Sequence, residues 1–223
     1  MKVILLGLPK SGTSSFQFMF ESLGLYSIHQ LTKDGRQIGM VVKENKKNNL
    51  PLFTSVNDFD CITELNICYS NEENYWPQIH DYKQLFYENS EALFILNTRD
   101  KTKILNSYKN WFYKNESLYD RFIKFNPELI SETSDQAFFD FIDNHYQKIR
   151  NFFLLQNNAN FVEFDIEKDR LSKLNQYIDL SDFKKLPNKN SRKELARLKF
   201  KNLIKSKIKK LLKKTLKLLN IRK

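Results

Sequence analysis

A short loop rich in glycine and hydroxyl residues gives the clearest chemical signal in the sequence. It runs Gly-Leu-Pro-Lys-Ser-Gly-Thr-Ser-Ser over residues 7–15, after the aliphatic run 2–6 and before an apolar pattern typical of a helix. The amides of such a loop, with the start of the following helix, favour a bound anion. In ATPases and GTPases a lysine follows the second glycine, whereas this chain has Thr13 there and Lys10 inside the loop. The loop therefore predicts an anion site of a different kind.

A second candidate for anion binding lies further along the chain. Arg99 follows the apolar run 92–96, which predicts a buried strand, and Ser107 comes eight residues later in a helical pattern. A guanidinium fork suits a phosphate group, and a hydroxyl can add another hydrogen bond. The alternative is a surface ion pair between Arg99 and Asp100 at the strand end.

Two residues at predicted strand ends have side chains that could take up a proton. His29 follows the strand predicted at 25–28, and Glu64 follows the one predicted at 61–63. Such positions line the binding sites of α/β folds, and an imidazole or a carboxylate is the usual general base. Imidazole titrates nearest to neutral pH, which favours His29. Either residue could instead be an ordinary polar loop residue.

Alternating strands and helices must position these residues. Five short apolar runs predict strands, at 2–6, 25–28, 61–63, 92–96 and 160–164. Apolar residues spaced three to four apart predict helices between them, including 75–87 and a long one at 134–155, while the polar segment 33–49 is expected to be a surface excursion. The pattern predicts an α/β fold of three layers, with a central parallel sheet flanked by helices.

Charge is distributed unevenly along the 223 residues. Lys and Arg number 37 against 26 Asp and Glu, but 17 of these bases and only one acid lie in 184–223. Residues 1–183 therefore carry a net charge of −5 and the segment after them +16. With 41% hydrophobic and 14% aromatic residues the chain is expected to be globular, not disordered or collagen-like. Its two Cys and three His lack the spacing of a zinc site, so we expect no metal.

The basic segment predicts an amphipathic helix with lysines around one apolar face. We therefore divide the chain into a domain over 1–190 and a basic helix over 191–223. Such a helix suits an anionic membrane surface, although it could instead pack on the domain. Nucleic acid is disfavoured as a partner because no aromatic residue follows Phe200. No apolar run has bilayer length or resembles a secretory signal, so we expect a cytoplasmic protein, peripheral on the inner face of a membrane.

The two anion-binding elements together resemble those of the P-loop sulfotransferases, which use 3′-phosphoadenosine 5′-phosphosulfate. That family's 5′-phosphosulfate loop has the pattern P-K-S-G-T-[ST]-x, and its 3′-phosphate is held by a strand-end Arg and a Ser eight positions later. The matching residues are Pro9, Lys10, Ser11, Gly12, Thr13, Ser14 and Ser15 in the loop, and Arg99 and Ser107 in the second element. Further likenesses are Tyr-Trp-Pro at 75–77 and Leu-Pro-Asn-Lys-Asn at 186–190. The resemblance covers about residues 1–190.

The resemblance implies an enzyme that moves a sulfuryl group in line from this nucleotide to a hydroxyl or amine of a carbohydrate or small-molecule acceptor. In the family's manner, Lys10 contacts the bridging oxygen, and His29 or Glu64 is the base. Such transfer needs positioning and fixed positive charge more than a metal. Two alternatives stay open: a P-loop kinase acting on a nucleotide or small molecule, and a non-catalytic, membrane-associated nucleotide-binding protein.

Overall fold

A sheet of five parallel strands forms the centre of the protein. The computed structural model describes residues 1–56, 58–67, 74–130 and 132–187. The five strands are β1 (Val3–Leu5), β2 (Ser27–His29), β3 (Cys61–Glu64), β4 (Leu93–Thr98) and β7 (Phe161–Asp165). Their order across the sheet is β2-β3-β1-β4-β7, and in the register Ile4 pairs with Ile62 on one side and with Phe94 on the other. The predicted α/β fold with a central parallel sheet is confirmed.

Helices connect the strands and cover both faces of the sheet. They are α1 (Thr13–Ser22), α2 (Ile38–Lys47), α3 (Pro77–His80), α4 (Tyr82–Glu88), α5 (Lys101–Lys109), α6 (Leu118–Phe125) and α7 (Asp135–Leu154). A short antiparallel hairpin, β5 (Phe112–Tyr113) and β6 (Glu116–Ser117), precedes α6, and a 3-10 turn occupies Leu171–Leu174. Asp100, Ser117 and Ser134 cap the three helices that follow them, each accepting a backbone amide hydrogen bond. No helix in the described part of the chain has the length and apolar character needed to cross a membrane.

The two faces of the sheet bury separate apolar layers. Successive strand residues point to opposite faces, so Ile4 and Phe94 pack with α2 and α4 to α7, whereas Val3 and Ile95 pack with α1 and the chain after β7. Both layers exclude water from the strands, which explains why β4 is buried over its whole length. This double cover leaves the strand ends as the accessible edge of the sheet.

The structure corrects several details of the predicted elements. The segment 33–49 is not only a surface excursion, because it contains α2, whose Ile38, Val41 and Val42 are buried. The single helix expected at 75–87 is two helices, α3 and α4, and β4 continues past residue 96 to Thr98. The predicted basic helix over 191–223 and the boundary at residue 190 lie outside the described residues.

Candidate active site

The carboxyl ends of all five parallel strands surround one cavity of about 640 Å³. The glycine loop follows β1, His29 ends β2, Glu64 ends β3, Arg99 follows β4 and Glu167 follows β7. Ligands of α/β folds bind at this edge of the sheet, where the strand order reverses. The cavity is therefore our candidate active site.

The cavity wall contains all but one of the residues predicted for the site: Pro9, Lys10, Gly12, Thr13, Ser14, Ser15, His29, Glu64, Arg99 and Ser107. The exception, Ser11, is completely buried. Its hydroxyl donates to the Leu8 carbonyl oxygen at 2.5 Å, so the Ser11 side chain stabilises the turn of the loop from inside the protein.

Two residues of the loop have positive φ angles. Lys10 has φ 68°, which costs free energy for a residue with a side chain. Gly12 has φ 89°, and a Cβ there would lie 3.0 Å from the Ile166 side chain. Glycine is therefore required at position 12 both by the backbone angle and by the space available. The non-helical part of the loop ends at this glycine, and its last three residues, 13–15, form the first turn of α1.

Asn97 of β4 holds the loop against the neighbouring strand. Its side-chain Oδ1 accepts a hydrogen bond from the Gly7 amide at 3.0 Å. Its Nδ2 donates to the Ser11 carbonyl oxygen at 3.0 Å and to Ser11 Oγ at 2.6 Å. Gly7 lies so close to Asn97 that a Cβ on it would be 2.1 Å from the Asn97 carbonyl oxygen. One buried amide thus fixes both ends of the first turn of the loop.

Two cations reach the cavity from the loop and from the end of β4. Arg99 Nη1 donates to the Lys10 carbonyl oxygen at 3.0 Å, so the guanidinium is attached to the loop. Lys10 Nζ lies 4.7 Å from the centre of the Trp111 ring, which also lines the cavity. Fixed positive charge in a partly enclosed space attracts an anionic ligand.

His29 and Glu64 lie side by side opposite these cations. His29 Nε2 is 3.1 Å from Ser14 Oγ and 3.5 Å from Glu64 Oε2. Glu64 accepts hydrogen bonds from Thr13 Oγ1, at 2.6 Å, and from the Gln30 side-chain amide. The two candidate bases therefore belong to one network that includes hydroxyls of the loop.

The contact of His29 with Thr63 shows which ring nitrogen carries the proton when the ring is neutral. Thr63 Oγ1 donates to the Ile28 carbonyl oxygen at 3.2 Å, so it accepts at its contact with His29 Nδ1, which is 3.1 Å away. Nδ1 then carries the proton and Nε2 is an acceptor. In this form His29 has its basic nitrogen directed to the loop.

Residues 2–195 match the sequence model of a family described as the sulfotransferase domain. The chain belongs to the sulfotransferase family. The expected family is thereby confirmed, and the protein is a transferase enzyme that takes a sulfate donor and an acceptor substrate. A search of curated proteins finds no match to this chain. In the portion of this sulfotransferase that the structure describes, no group of three or more His, Cys, Asp and Glu side chains could hold a metal ion.

Several residues of the sulfotransferase cavity were missing from the sequence prediction: Gln30, Asn66, Trp111, Leu118, Ile166, Glu167, Leu186 and Pro187. Glu167 had a usable signal, because it follows the last predicted strand, as Arg99 follows the fourth. Trp111 lies two residues after the end of α5 and had no comparable signal. Asn97, which is outside this wall, was signalled only by being a polar residue at the end of an apolar strand.

His145 of the sulfotransferase lies beneath the start of the loop. Its Nε2 is 3.1 Å from the carbonyl oxygen of Leu6, the residue that connects β1 to the loop. Burial in the apolar layer lowers the pKa of His145 from 6.5 to about 4, and the hydrogen bond with Leu6 opposes this only in part. The ring is therefore neutral at physiological pH and acts as a structural contact between α7 and β1.

Proposed function

We propose that this sulfotransferase transfers the sulfuryl group of 3′-phosphoadenosine 5′-phosphosulfate to a hydroxyl or amine of a carbohydrate or small-molecule acceptor. The main support is that a phosphate-type loop, Arg99 and two candidate bases line one cavity. A donor with phosphate groups at both its 3′ and 5′ positions has two anionic ends, and the cavity has a cationic or amide-rich wall for each. The acceptor then enters from the side of His29 and Glu64.

The loop holds the reacting end of the donor in this proposal. The amides of Gly12, Thr13 and Ser14 and the hydroxyls of Ser14 and Ser15 donate to the 5′-phosphate at the start of α1, where the helix dipole favours negative charge. Lys10 contacts the bridging oxygen between phosphorus and sulfur and neutralises the charge that collects there as the bond breaks. Its ammonium reaches this position by leaving the face of Trp111.

Arg99 and Ser107 bind the 3′-phosphate. Arg99 already donates a hydrogen bond to the Lys10 carbonyl oxygen of the loop. The two groups that hold the ends of the nucleotide are therefore in direct contact with each other. Ser107 lies on α5, two turns after Arg99, and lines the same cavity. The forked N–H groups of a guanidinium, with a hydroxyl beside them, match the three oxygens of a phosphate.

His29 is the general base, and Glu64 positions it. When Ser14 turns its hydroxyl to the 5′-phosphate, His29 Nε2 becomes available to the acceptor hydroxyl. The acceptor oxygen attacks sulfur, its proton goes to Nε2, and the bond from sulfur to the bridging oxygen breaks. The product nucleotide is 3′-phosphoadenosine 5′-phosphate. The Glu64 carboxylate, 3.5 Å from Nε2, stabilises the imidazolium as it forms.

The rival enzyme class is a P-loop kinase acting on a nucleotide or small molecule. Thr13 stands where a kinase loop has its lysine, and its hydroxyl donates to Glu64. A kinase would prefer ATP and require Mg²⁺. A non-catalytic nucleotide-binding protein would bind nucleotide and show no turnover.

Calorimetric titration with 3′-phosphoadenosine 5′-phosphate, ADP and ATP with Mg²⁺ tests the donor. We expect tight binding of the 3′-phosphorylated nucleotide alone, weakened at least about tenfold in Arg99→Ala. Arg170→Ala is the matched control because Arg170 is exposed and outside the cavity wall. Preference for ATP with Mg²⁺, or equal binding by Arg99→Ala, would overturn the proposal.

The basic segment 191–223 supports a separate part of the proposal, peripheral binding to an anionic membrane from the cytoplasmic side. Each Lys or Arg near such a surface contributes about 1 kcal/mol. Sedimentation with phosphatidylserine vesicles compares the full chain with one ending at residue 190. Co-sedimentation of the shortened chain, or none of the full chain, would show that this segment is not a membrane anchor.

A further inference from the structure

Three charged side chains, those of Arg99, Lys103 and Glu167, meet at one end of the cavity. Glu167 Oε1 lies 2.7 Å from Lys103 Nζ and 3.5 Å from Arg99 Nε. Arg99 and Glu167 both line the cavity. Lys103 is on α5, four residues before Ser107 and therefore on the same helical face. One carboxylate thus lies between two cations at the end of the cavity where we propose that the 3′-phosphate binds.

The guanidinium of Arg99 keeps hydrogen-bonding capacity for another anion. Nη1 donates to the Lys10 carbonyl oxygen, whereas none of the described residues accepts a hydrogen bond from the buried Nε. At 3.5 Å, Glu167 attracts Nε by charge without accepting its proton. A buried donor without an acceptor costs free energy. A phosphate oxygen at the position of the Glu167 carboxylate would remove that cost.

Neighbouring charges are engaged in other contacts. The Asp100 carboxylate caps α5 by accepting the backbone amide of Lys103 at 3.0 Å. Lys101 Nζ pairs with Asp143 at 2.5 Å, on the side facing α7. Among the residues that the structure describes, Glu167 is therefore the negative group that directly offsets the two cations. A phosphate dianion in its place would match their combined charge.

We propose that Glu167 occupies the position of the nucleotide's 3′-phosphate between Arg99 and Lys103, and that the phosphate displaces it on binding. This inference rests on the proposed donor. Lys103, freed from Glu167, becomes a third ligand of the phosphate beside Arg99 and Ser107. Because the ligand must replace a carboxylate of charge −1, a dianionic phosphate gains from the exchange and a 3′-hydroxyl does not. Glu167 therefore competes with the 3′-phosphate for the two cations and weakens the binding of 3′-phosphorylated nucleotides, whereas a nucleotide with a 3′-hydroxyl leaves Glu167 in place.

Calorimetric titration of the full chain with 3′-phosphoadenosine 5′-phosphate and with adenosine 5′-monophosphate tests the exchange. Glu167→Gln should bind the first nucleotide about tenfold more tightly, because a competing charge is removed. Lys103→Met should bind it about tenfold more weakly, because a charged ligand is lost. Both variants should bind the monophosphate as the wild type does. Lys101→Met, a matched control on the same helix, should bind both nucleotides like the wild type.

The wild-type titration separates this inference from the donor proposal. Equal affinity of the wild type for the two nucleotides would overturn the donor proposal and the exchange with it. If the wild type prefers the 3′-phosphorylated nucleotide but Glu167→Gln binds it no more tightly, Glu167 only orients Arg99 and the exchange is wrong. If Lys103→Met binds it like the wild type, Lys103 is not a ligand. Matching thermal unfolding curves for all variants establish that they are folded.

Discussion

His29 and Glu64 lie 3.5 Å apart, yet their surroundings suit them to different tasks. Both carboxylate oxygens of Glu64 already accept hydrogen bonds, from Thr13 and Gln30. His29 has its Nδ1 proton held by Thr63 and its Nε2 directed to a loop hydroxyl. A base needs a lone pair that the acceptor can reach. The imidazole satisfies this condition once Ser14 turns away, whereas the carboxylate would have to break a hydrogen bond first.

We therefore expect different losses of rate in His29→Asn and Glu64→Gln. His29→Asn should lower kcat at least about 100-fold, because the proton acceptor is gone. Glu64→Gln should lower kcat by about tenfold, because only the stabilising charge is lost. Steady-state rates check both, with His80→Asn as the histidine control. A larger loss of kcat in Glu64→Gln than in His29→Asn would assign the base to Glu64.

The loop and β4 act as one mechanical unit at the scale of elements. Residues 7 and 97 are far apart in sequence but are joined by the Gly7 amide and the Asn97 side chain at 3.0 Å. Arg99, two residues beyond Asn97, is attached to the same loop through the Lys10 carbonyl oxygen. Any shift of β4 therefore moves the groups proposed to hold both ends of the donor.

Replacement of Asn97 by Leu should test this unit. The change leaves the Gly7 amide and the Ser11 carbonyl oxygen without their buried partner, which costs about 2–4 kcal/mol of unfolding free energy. Urea denaturation measures this loss, and calorimetry with 3′-phosphoadenosine 5′-phosphate should show weaker binding by the folded variant. Asn106→Leu, at an exposed position of α5, should change neither quantity appreciably. Unchanged nucleotide affinity in Asn97→Leu would mean that the loop keeps its shape without this anchor.

Periodicity in the sequence predicts elements well where apolar residues dominate and poorly where charge dominates. The runs at β1 and β4 and the aromatic face of α7 are unmistakable because their residues are buried in the two apolar layers. In α2, the lysines and asparagines of 43–49 conceal the spacing of Ile38, Val41 and Val42. The hairpin of β5 and β6 has two residues in each strand, too few for any pattern.

Contacts between distant segments explain what the sequence could not predict about the candidate site. The loop and Arg99 lie in local sequence patterns that are recognisable without a structure. The position of Asn97 against the loop depends on how β4 pairs with β1, and that of Glu167 between two cations depends on how β7 pairs with β4. No local pattern encodes either pairing. His29 and Glu64 were predicted separately, but their adjacency results from the pairing of β2 with β3.

At the scale of the whole molecule, the site exists only when all five strands are in place. The charged and polar groups come from strand ends spread over residues 7–167, and the apolar layers beneath them hold the strands in register. His145 belongs to this support, since it joins α7 to the carbonyl oxygen of Leu6. Its protonation is therefore coupled to folding of the whole domain.

The pKa of His145 predicts a loss of stability in acid. In the folded protein burial lowers this pKa to about 4, while the unfolded chain keeps the ordinary value of 6.5. As pH falls from 6.5 to 4 the unfolded chain binds a proton that the folded chain does not, so unfolding becomes easier; below pH 4 both bind it and the loss stops growing. The difference corresponds to about 3 kcal/mol.

Comparison with His145→Gln isolates this effect from the titration of the carboxylates. The glutamine amide can still donate to the Leu6 carbonyl oxygen but takes up no proton in this range. Lys148 and His80 also disfavour the charged ring, and both remain in the variant. Urea unfolding at several pH values between 7 and 4 should show the wild type losing about 3 kcal/mol more than the variant. Parallel losses in the two proteins would mean that the folded and unfolded chains take up this proton at the same pH, so that the hydrogen bond with Leu6 offsets the whole effect of burial on the pKa of His145.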